Sequence, residues 1–409
     1  MGYSLEDINY VEELFERFYS IGAIETGGVT RLGYSETEDL MHKTFFKSAE
    51  ELGFTSSVDQ VGNGFISNGD FDEYYLIGSH LDSVVDGGRY DGVAGVLAGL
   101  LVMKWAKEDN LKIPLKTVAF RCEESSNFGV STMGSELITS GNGSDFAALT
   151  GKDGRTLGEI FKEKGYSFKP EIIKGVKKYL EVHIEQARVL EKHGEKIGIV
   201  TTIAGPRRFK YHITGKSEHS GATPMNIRKD ALCGAAEIIL EIEKIGLEES
   251  VLHSVATTGV VKNMPNALNV VPGEVELQVD TRGIDMESLN RMENHIYEEG
   301  KSICRRRGLQ FIRERLGGSD PVEMDSKMQD KLEGVIEELG YPYRRMVSGA
   351  GHDAMKMTRI CDTALLFIPC KDGISHNKNE FTDIASICDG ASVIYEYLKG
   401  DFNLREGED

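Results

Sequence analysis

Tyr74-Tyr75-Leu76-Ile77-Gly78-Ser79-His80-Leu81-Asp82-Ser83 leads through Gly87-Gly88-Arg89-Tyr90-Asp91-Gly92 into an apolar run ending at Met103. Tyr74 to Ile77 reads as a short buried strand. The run from Gly92 to Met103 is rich in small residues, bounded by Asp91 and Lys104, and too short to span a membrane, so it reads as a buried helix. Strand, loop and buried helix together are the unit of an α/β layer architecture. Along an extended backbone His80 and Asp82 point the same way. At a strand's carboxyl end they would face the crevice where α/β sheets bind ligands. Asp91 opens the helix among glycines, which allow the tight backbone course a metal-ligating carboxylate needs. The plainer alternative makes Asp91 an N-cap and His80 a satisfied loop histidine.

The pattern recurs downstream. The strand-like Leu115 to Phe120 runs into Arg121-Cys122-Glu123-Glu124-Ser125. Adjacent carboxylates at a strand end project in opposite directions, so one can ligate a metal while the other faces a substrate as proton carrier. Tyr179 to Ile184 forms another strand, carrying His183 and leading to Gln186. A last one, Ala364 to Pro369, precedes the loop Ser375-His376-Asn377. Taken singly, a Glu-Glu pair is most simply a solvated turn and a lone histidine a structural residue. Together these residues are the inventory of a dinuclear hydrolytic site. Imidazole and carboxylate suit Zn2+ or Mn2+, and one carboxylate can bridge two ions about 3.5–4 Å apart.

Upstream, Ser35 caps an expected helix from Glu36 to Glu51, with Leu40, Phe45 and Ala49 on one side. Two loop clusters, Gly205-Pro206 and Gly317-Gly318-Ser319-Asp320-Pro321, divide the chain. Between them come a strand (Arg208 to Thr214), a helix (Lys229 to Ile245), β-rich segments (Leu252 to Val261 and Glu274 to Asp280) and an amphipathic helix (Met286 to Arg305). That is the pattern of a small α+β sandwich, residues 206–320, inserted into a larger α/β domain made of 1–205 and 321–409. Arg405 to Asp409 reads as a frayed acidic tail.

The 409 residues are 40% hydrophobic and 28% charged, ordinary for a soluble chain with more than one core. The net charge of −19 repels phosphate backbones and anionic lipid, which excludes nucleic-acid and membrane-surface roles. Met1 to Asp7 carries no export signal. Six cysteines without CxxC spacing read as reduced thiols, and the cytoplasm is the expected location.

Quoted in order, His80-Leu81-Asp82, Gly87-Gly88-Arg89-Tyr90-Asp91-Gly92, Glu123-Glu124-Ser125 and His183-Ile184-Glu185-Gln186 resemble the motifs of one family. So do His219-Ser220-Gly221-Ala222-Thr223-Pro224-Met225, Asn269-Val270-Val271-Pro272-Gly273, Asp280-Thr281-Arg282 and Ser375-His376. The resemblance is to the hydantoinase/carbamoylase amidohydrolases: N-carbamoyl-L-amino acid hydrolases, β-ureidopropionases and allantoate amidohydrolases, within the aminoacylase/metallo-exopeptidase superfamily. It runs from about Gly78 to His376. Asn127, where many members carry Arg, and Ala187, where a glycine is common, depart from the pattern.

The resemblance implies a mixed-sheet, metallo-exopeptidase-like catalytic domain and a dimerisation or lid insert. It implies two divalent ions per subunit, Zn2+ first and Mn2+, Co2+ or Ni2+ as alternatives. His80, Asp91 and His183 hold one ion, and Asp91 bridges to a second held by Glu124 and His376. Asp82 orients the His80 imidazole, and Glu123 is the general base. Arg282 would bind a substrate carboxylate, with Asn269 and Gln186 giving amide contacts and Gly351 lying in a backbone loop for the carboxylate. His219 resembles an oxyanion-stabilising histidine that reaches the partner's site in a homodimer. The plainer alternatives are an Arg282 ion pair with Asp280 or Asp285, and a His352 that caps the helix after Asp353. The expected substrate is an N-carbamoyl-L-amino acid. Allantoate or N-carbamoyl-β-alanine, a dipeptidase or aminoacylase activity, and a non-catalytic metal-binding protein are the alternatives.

Overall fold

The computed structural model describes residues 2–406, which divide into two compact units. The first comprises residues up to Thr201, then Met324–Met346 and the chain from Ala350. The second comprises Thr202–Glu323 with Val347–Gly349.

In the first unit four strands lie parallel and adjacent in the order Leu115–Phe120, Tyr74–His80, Val176–Ile184 and Asp362–Ile368. The strands Gly64–Ser67 and Ile197–Ile203 flank them antiparallel. Every residue of Tyr74–His80 is buried, as expected of a central parallel strand covered on both faces. The covering helix, Val93–Glu108, is buried nearly all round. Its small residues have a specific use: a Cβ on Gly95 would lie 2.2 Å from the Val182 carbonyl oxygen, and one on Gly99 2.6 Å from Thr117 Cγ2. The glycines let the helix sit directly on the strands that carry His80 and His183.

The helix Glu36–Glu51 starts at a Ser35 cap that accepts from Glu38 N–H. Its buried side differs from the one expected. Met41, Phe45 and Ala49 are buried and Leu40 is exposed, because the i, i+4, i+8 stripe passes through Met41 and leaves Leu40 a hundred degrees away. The expected tail also differs in part. Arg405 and Glu406 complete the helix Ile384–Glu406, and the rest lies outside the described residues. No described helix is long and apolar enough to cross a membrane, and all six cysteines are free.

In the second unit a four-stranded antiparallel sheet runs in the order Gln310–Gly318, Gly205–Thr214, Glu274–Gly283, Val255–Met264. Helices Ala231–Glu249 and Met286–Arg307 are capped by Asp230 and Asp285. They share a core of Ile238, Ile242, Met292 and Ile296 with Tyr211, Ile213 and Leu277 of the sheet. The strand Ile197–Ile203 runs through the boundary at Thr201/Thr202, so the unit starts before Gly205-Pro206. The short strand Val322–Glu323 lies along Ile197–Ile203 and carries the unit past Pro321 to Glu323, and Val347–Gly349 joins it.

Candidate active site

All four parallel strands of the first unit end at one place, and each delivers a titratable side chain there. His80 closes its strand, His183 is the last residue but one of another, Glu123-Glu124 follow Phe120, and His376 follows the strand ending at Ile368. This is the carboxyl-end crevice of a parallel sheet. Gly92 is at φ +67°, and a Cβ on it would sit 2.5 Å from the His80 ring. Gly92, not Asp91, is the residue before the helix, and it has no side-chain cap. Asp91 is thereby left free to point inward, which removes the N-cap alternative.

Asp91 stands at the centre. Its Oδ1 lies 3.3 Å from His80 Nε2 and 3.0 Å from His183 Nε2. Its Oδ2 lies 3.5 Å from His376 Nε2, which in turn is 2.9 Å from Glu124 Oε1. Two ligand groups result, His80–Asp91–His183 and Asp91–Glu124–His376, each with its donor atoms within 4.8 Å of one another. A tetrahedral ion with bonds of about 2.0–2.2 Å sets its donors roughly 3.3–3.6 Å apart, so small side-chain shifts suffice. Asp82, Asp91, Glu123 and Glu124 are only 0, 5, 7 and 7% exposed. Among the described residues no lysine or arginine pairs with any of them. So many buried carboxylates call for cations.

The titration pattern expresses the same deficit. Burial opposes a charged His80, but Asp82 and Asp91 outweigh it and hold the imidazolium well above the ordinary histidine range. His183 is raised in the same way, burial being overcome by Asp91. Burial pushes the Glu123 carboxyl far up, against the pull of His80 and with the help of Glu124. The hydrogen bond to Glu124 brings His376 to about 9. Protons collect where positive charge is short, and divalent ions would answer the same need.

Glu123 belongs to neither ligand group; its carboxylate Oε2 lies 3.8 Å from His80 Nε2. Asp82 does more than orient His80, whose Nδ1 is 3.4 Å from Asp82 Oδ1. Its two oxygens accept from the backbone N–H groups of Glu123 and Glu124, each at 3.0 Å, so one carboxylate fixes a histidine and the acidic turn together. Behind that turn, Cys122 adopts φ +51°, a left-handed conformation costly for a residue with a Cβ. Glu38, which the sequence reading passed over, stabilises it by accepting from Cys122 N–H at 2.8 Å and from Arg121 Nη1 at 2.9 Å.

Gln186 donates to Asp91 Oδ2 at 3.1 Å, and Ser375 Oγ to the same oxygen at 2.8 Å. Ser375 was quoted only as part of a motif, and its place beside His376 was the available signal. Asn127 donates to the Gly33 carbonyl and accepts from Lys152 N–H, so this departure from the motif is a loop brace. His352 is 2% exposed, with its ring 4.5 Å from that of His183, and the short helix after Asp353 has no side-chain cap. The nearest atom a Gly351 Cβ would meet is 3.7 Å away.

His219, Asn269 and Arg282 are in the second unit. His219 pairs with Val270 in a two-stranded ladder, and its exposed ring accepts from Gly221 N–H at 3.1 Å. The Asn269 carbonyl accepts from Ser220 N–H. Arg282 donates to Asp280 Oδ2 at 2.9 Å and to the Gly349 carbonyl at 3.0 Å, so the ion pair with Asp280 offered as an alternative does form.

The chain was compared with known proteins. It is 34% identical over 95% of its length, and 96% of the other chain, to an N-carbamoyl-L-amino-acid amidohydrolase of Pseudomonas sp. (strain NS671). It is 32% identical over 95% of its length, and 97% of the other, to the allantoate amidohydrolase of Bacillus subtilis (strain 168). A hydantoinase/carbamoylase-family amidase of Burkholderia multivorans superposes with a TM-score of 0.87 at 32% identity, covering 96% of this chain and 97% of that one. The sequence pattern of peptidase family M20/M25/M40 matches residues 76–400, and the chain belongs to that family.

Proposed function

We propose that this hydrolase cleaves the ureido C–N bond of an N-carbamoyl-L-amino acid, taking up water and yielding the amino acid, ammonia and carbon dioxide. The observation that carries the proposal is Glu123, a buried carboxylate beside two candidate ion sites yet part of neither. The names of the relatives support the ureido substrate class. His80, Asp91 and His183 would hold one ion, and Asp91, Glu124 and His376 the other. When bound, the ions polarise the carbonyl and acidify the attacking water. Glu123 takes the proton from that water and returns it to the departing nitrogen, which cannot leave as an anion. Asp82 keeps Glu123 in place by holding its backbone N–H. The carbamate left behind loses carbon dioxide. The test is ammonia release from N-carbamoyl-L-amino acids, allantoate and N-carbamoyl-β-alanine, set against release of free amino acid from N-acyl amino acids and dipeptides. Turnover of allantoate alone would replace the substrate, and turnover of dipeptides alone would replace the reaction.

Arg282 is the proposed partner of the substrate carboxylate, exchanging Asp280 for it. Arg282→Ala is expected to raise KM for carboxylated substrates about 10²-fold, the equivalent of roughly 2–3 kcal/mol of charged hydrogen bonding. Steady-state kinetics with an unchanged KM would take Arg282 out of the binding site. Asn269, Gln186 and the Gly351 loop are proposed to orient the ureido and carboxylate groups.

The chain is further proposed to act as a cytoplasmic homodimer through its second unit. Strand Val255–Met264 forms one edge of the four-stranded sheet, and Val255, Val261 and Met264 on it are exposed. So are Leu240 and Leu247 of the helix packed beside it and Val251 just beyond. An open strand edge beside an apolar stripe favours two-fold pairing. Leu247→Glu combined with Val261→Lys is expected to give a monomer by light scattering. If His219 serves the partner's site, kcat then falls by about 10²-fold or more, as when an oxyanion donor is lost. A fully active monomer would refute the shared site.

A further inference from the structure

Asp91 belongs to both candidate ion sites and His376 only to the second, so whatever ties the Asp91 backbone to the turn carrying His376 bears on the second site. Glu380 lies four residues past His376 and is 2% exposed. Its Oε1 accepts from Tyr90 N–H at 2.7 Å and from Asp91 N–H at 3.0 Å, while its own N–H donates to the Asn377 carbonyl in the turn after His376. Gly88 closes against it. A Cβ on Gly88 would fall 2.0 Å from the Glu380 carboxyl carbon and 2.1 Å from each oxygen. Oε2 is buried without a hydrogen-bond partner among the described residues, a desolvation cost that no bond returns. A carboxylate placed here adds to an already anionic cluster, so stability alone does not account for it.

We propose that Glu380 is a positioning residue that clasps the Tyr90–Asp91 backbone to the turn carrying His376, so that the second ion site is assembled only when the two loops are joined. The clasp presupposes the two-ion site proposed above. It acts through its acceptor oxygen and not through its charge. Glutamine at 380 keeps that oxygen, alanine removes it, and a methyl group at position 88 displaces it from the opposite side.

The test is titration of metal-free protein with Zn2+ or Mn2+ against a competing chelator, followed by ion counting, with circular dichroism as the check on folding. Glu380→Ala is expected to weaken the second ion by about 10- to 100-fold and leave the first near wild type, the range for loss of an outer partner of a metal ligand. Glu380→Gln is expected to retain both ions. Gly88→Ala clashes only with the end of a side chain and is expected to reproduce the Glu380→Ala loss. The double variant should bind no worse than either single one, because both act on one contact. Wild-type affinity in Glu380→Ala, or a Glu380→Gln as defective as the alanine variant, would overturn the clasp. If Glu380→Ala does not fold, Gly88→Ala decides, and unchanged ion affinity there overturns it. Wild-type protein that takes up fewer than two ions would overturn the two-ion reading itself. Normal uptake without ureido hydrolysis would overturn only the substrate assignment.

Discussion

Glu123→Gln is expected to lower kcat by about 10³- to 10⁴-fold while leaving ion content and KM near wild type. Glutamine keeps the shape and the backbone N–H held by Asp82, but its amide cannot take a proton from water or hand one to a leaving nitrogen. Because Glu123 stands outside both ligand groups, the effect belongs to proton transfer and not to ion binding. Turnover assays paired with ion counting separate the two. A variant that kept more than about a tenth of its activity would remove the general-base assignment. One that lost an ion would make Glu123 a ligand.

Asp91→Ala is expected to take the chain from about two bound ions to about none at micromolar free metal, with turnover below detection. Asp91 supplies an oxygen to each group, so its loss leaves two histidines on one side and Glu124 with His376 on the other. His376→Ala, by contrast, should cost only the ion on the Glu124 side. Retention of both ions by the Asp91 variant would show that His80 with His183, and Glu124 with His376, suffice to hold them without it. The same variant makes a stability measurement informative. Ion binding to the native state stabilises by mass action, so added Zn2+ or Mn2+ should raise Tm for the wild type and have little effect on Asp91→Ala.

These two experiments test residues that stood out in the sequence, for a local reason. Each strand announces itself by a short β-rich run, and the chemistry follows within a few residues of its end, so the clusters at His80, Glu123-Glu124, His183 and His376 can be seen one at a time. Helix Glu36–Glu51 was legible because a serine cap marks its start. The helix face was not, since Leu40 and Met41 are equally apolar and only packing against the sheet chooses between them. The limits of the second unit were shifted because Ile197–Ile203 continues without a break across Thr201/Thr202, where no composition change marks the point.

The sequence alone thus determined most element types, the strand-end clusters and the inventory of candidate ligand and base residues, because alternation, capping and turn chemistry act over a handful of neighbours. Only the tertiary structure decided what faces Asp91. The order of the four parallel strands brings Glu380 to a backbone 290 residues away, sets Ser375 and Gln186 on one carboxylate oxygen, and turns Asp82 toward the Glu123-Glu124 turn. Those contacts join loops that follow different strands, and nothing in a local window encodes which strands will be neighbours.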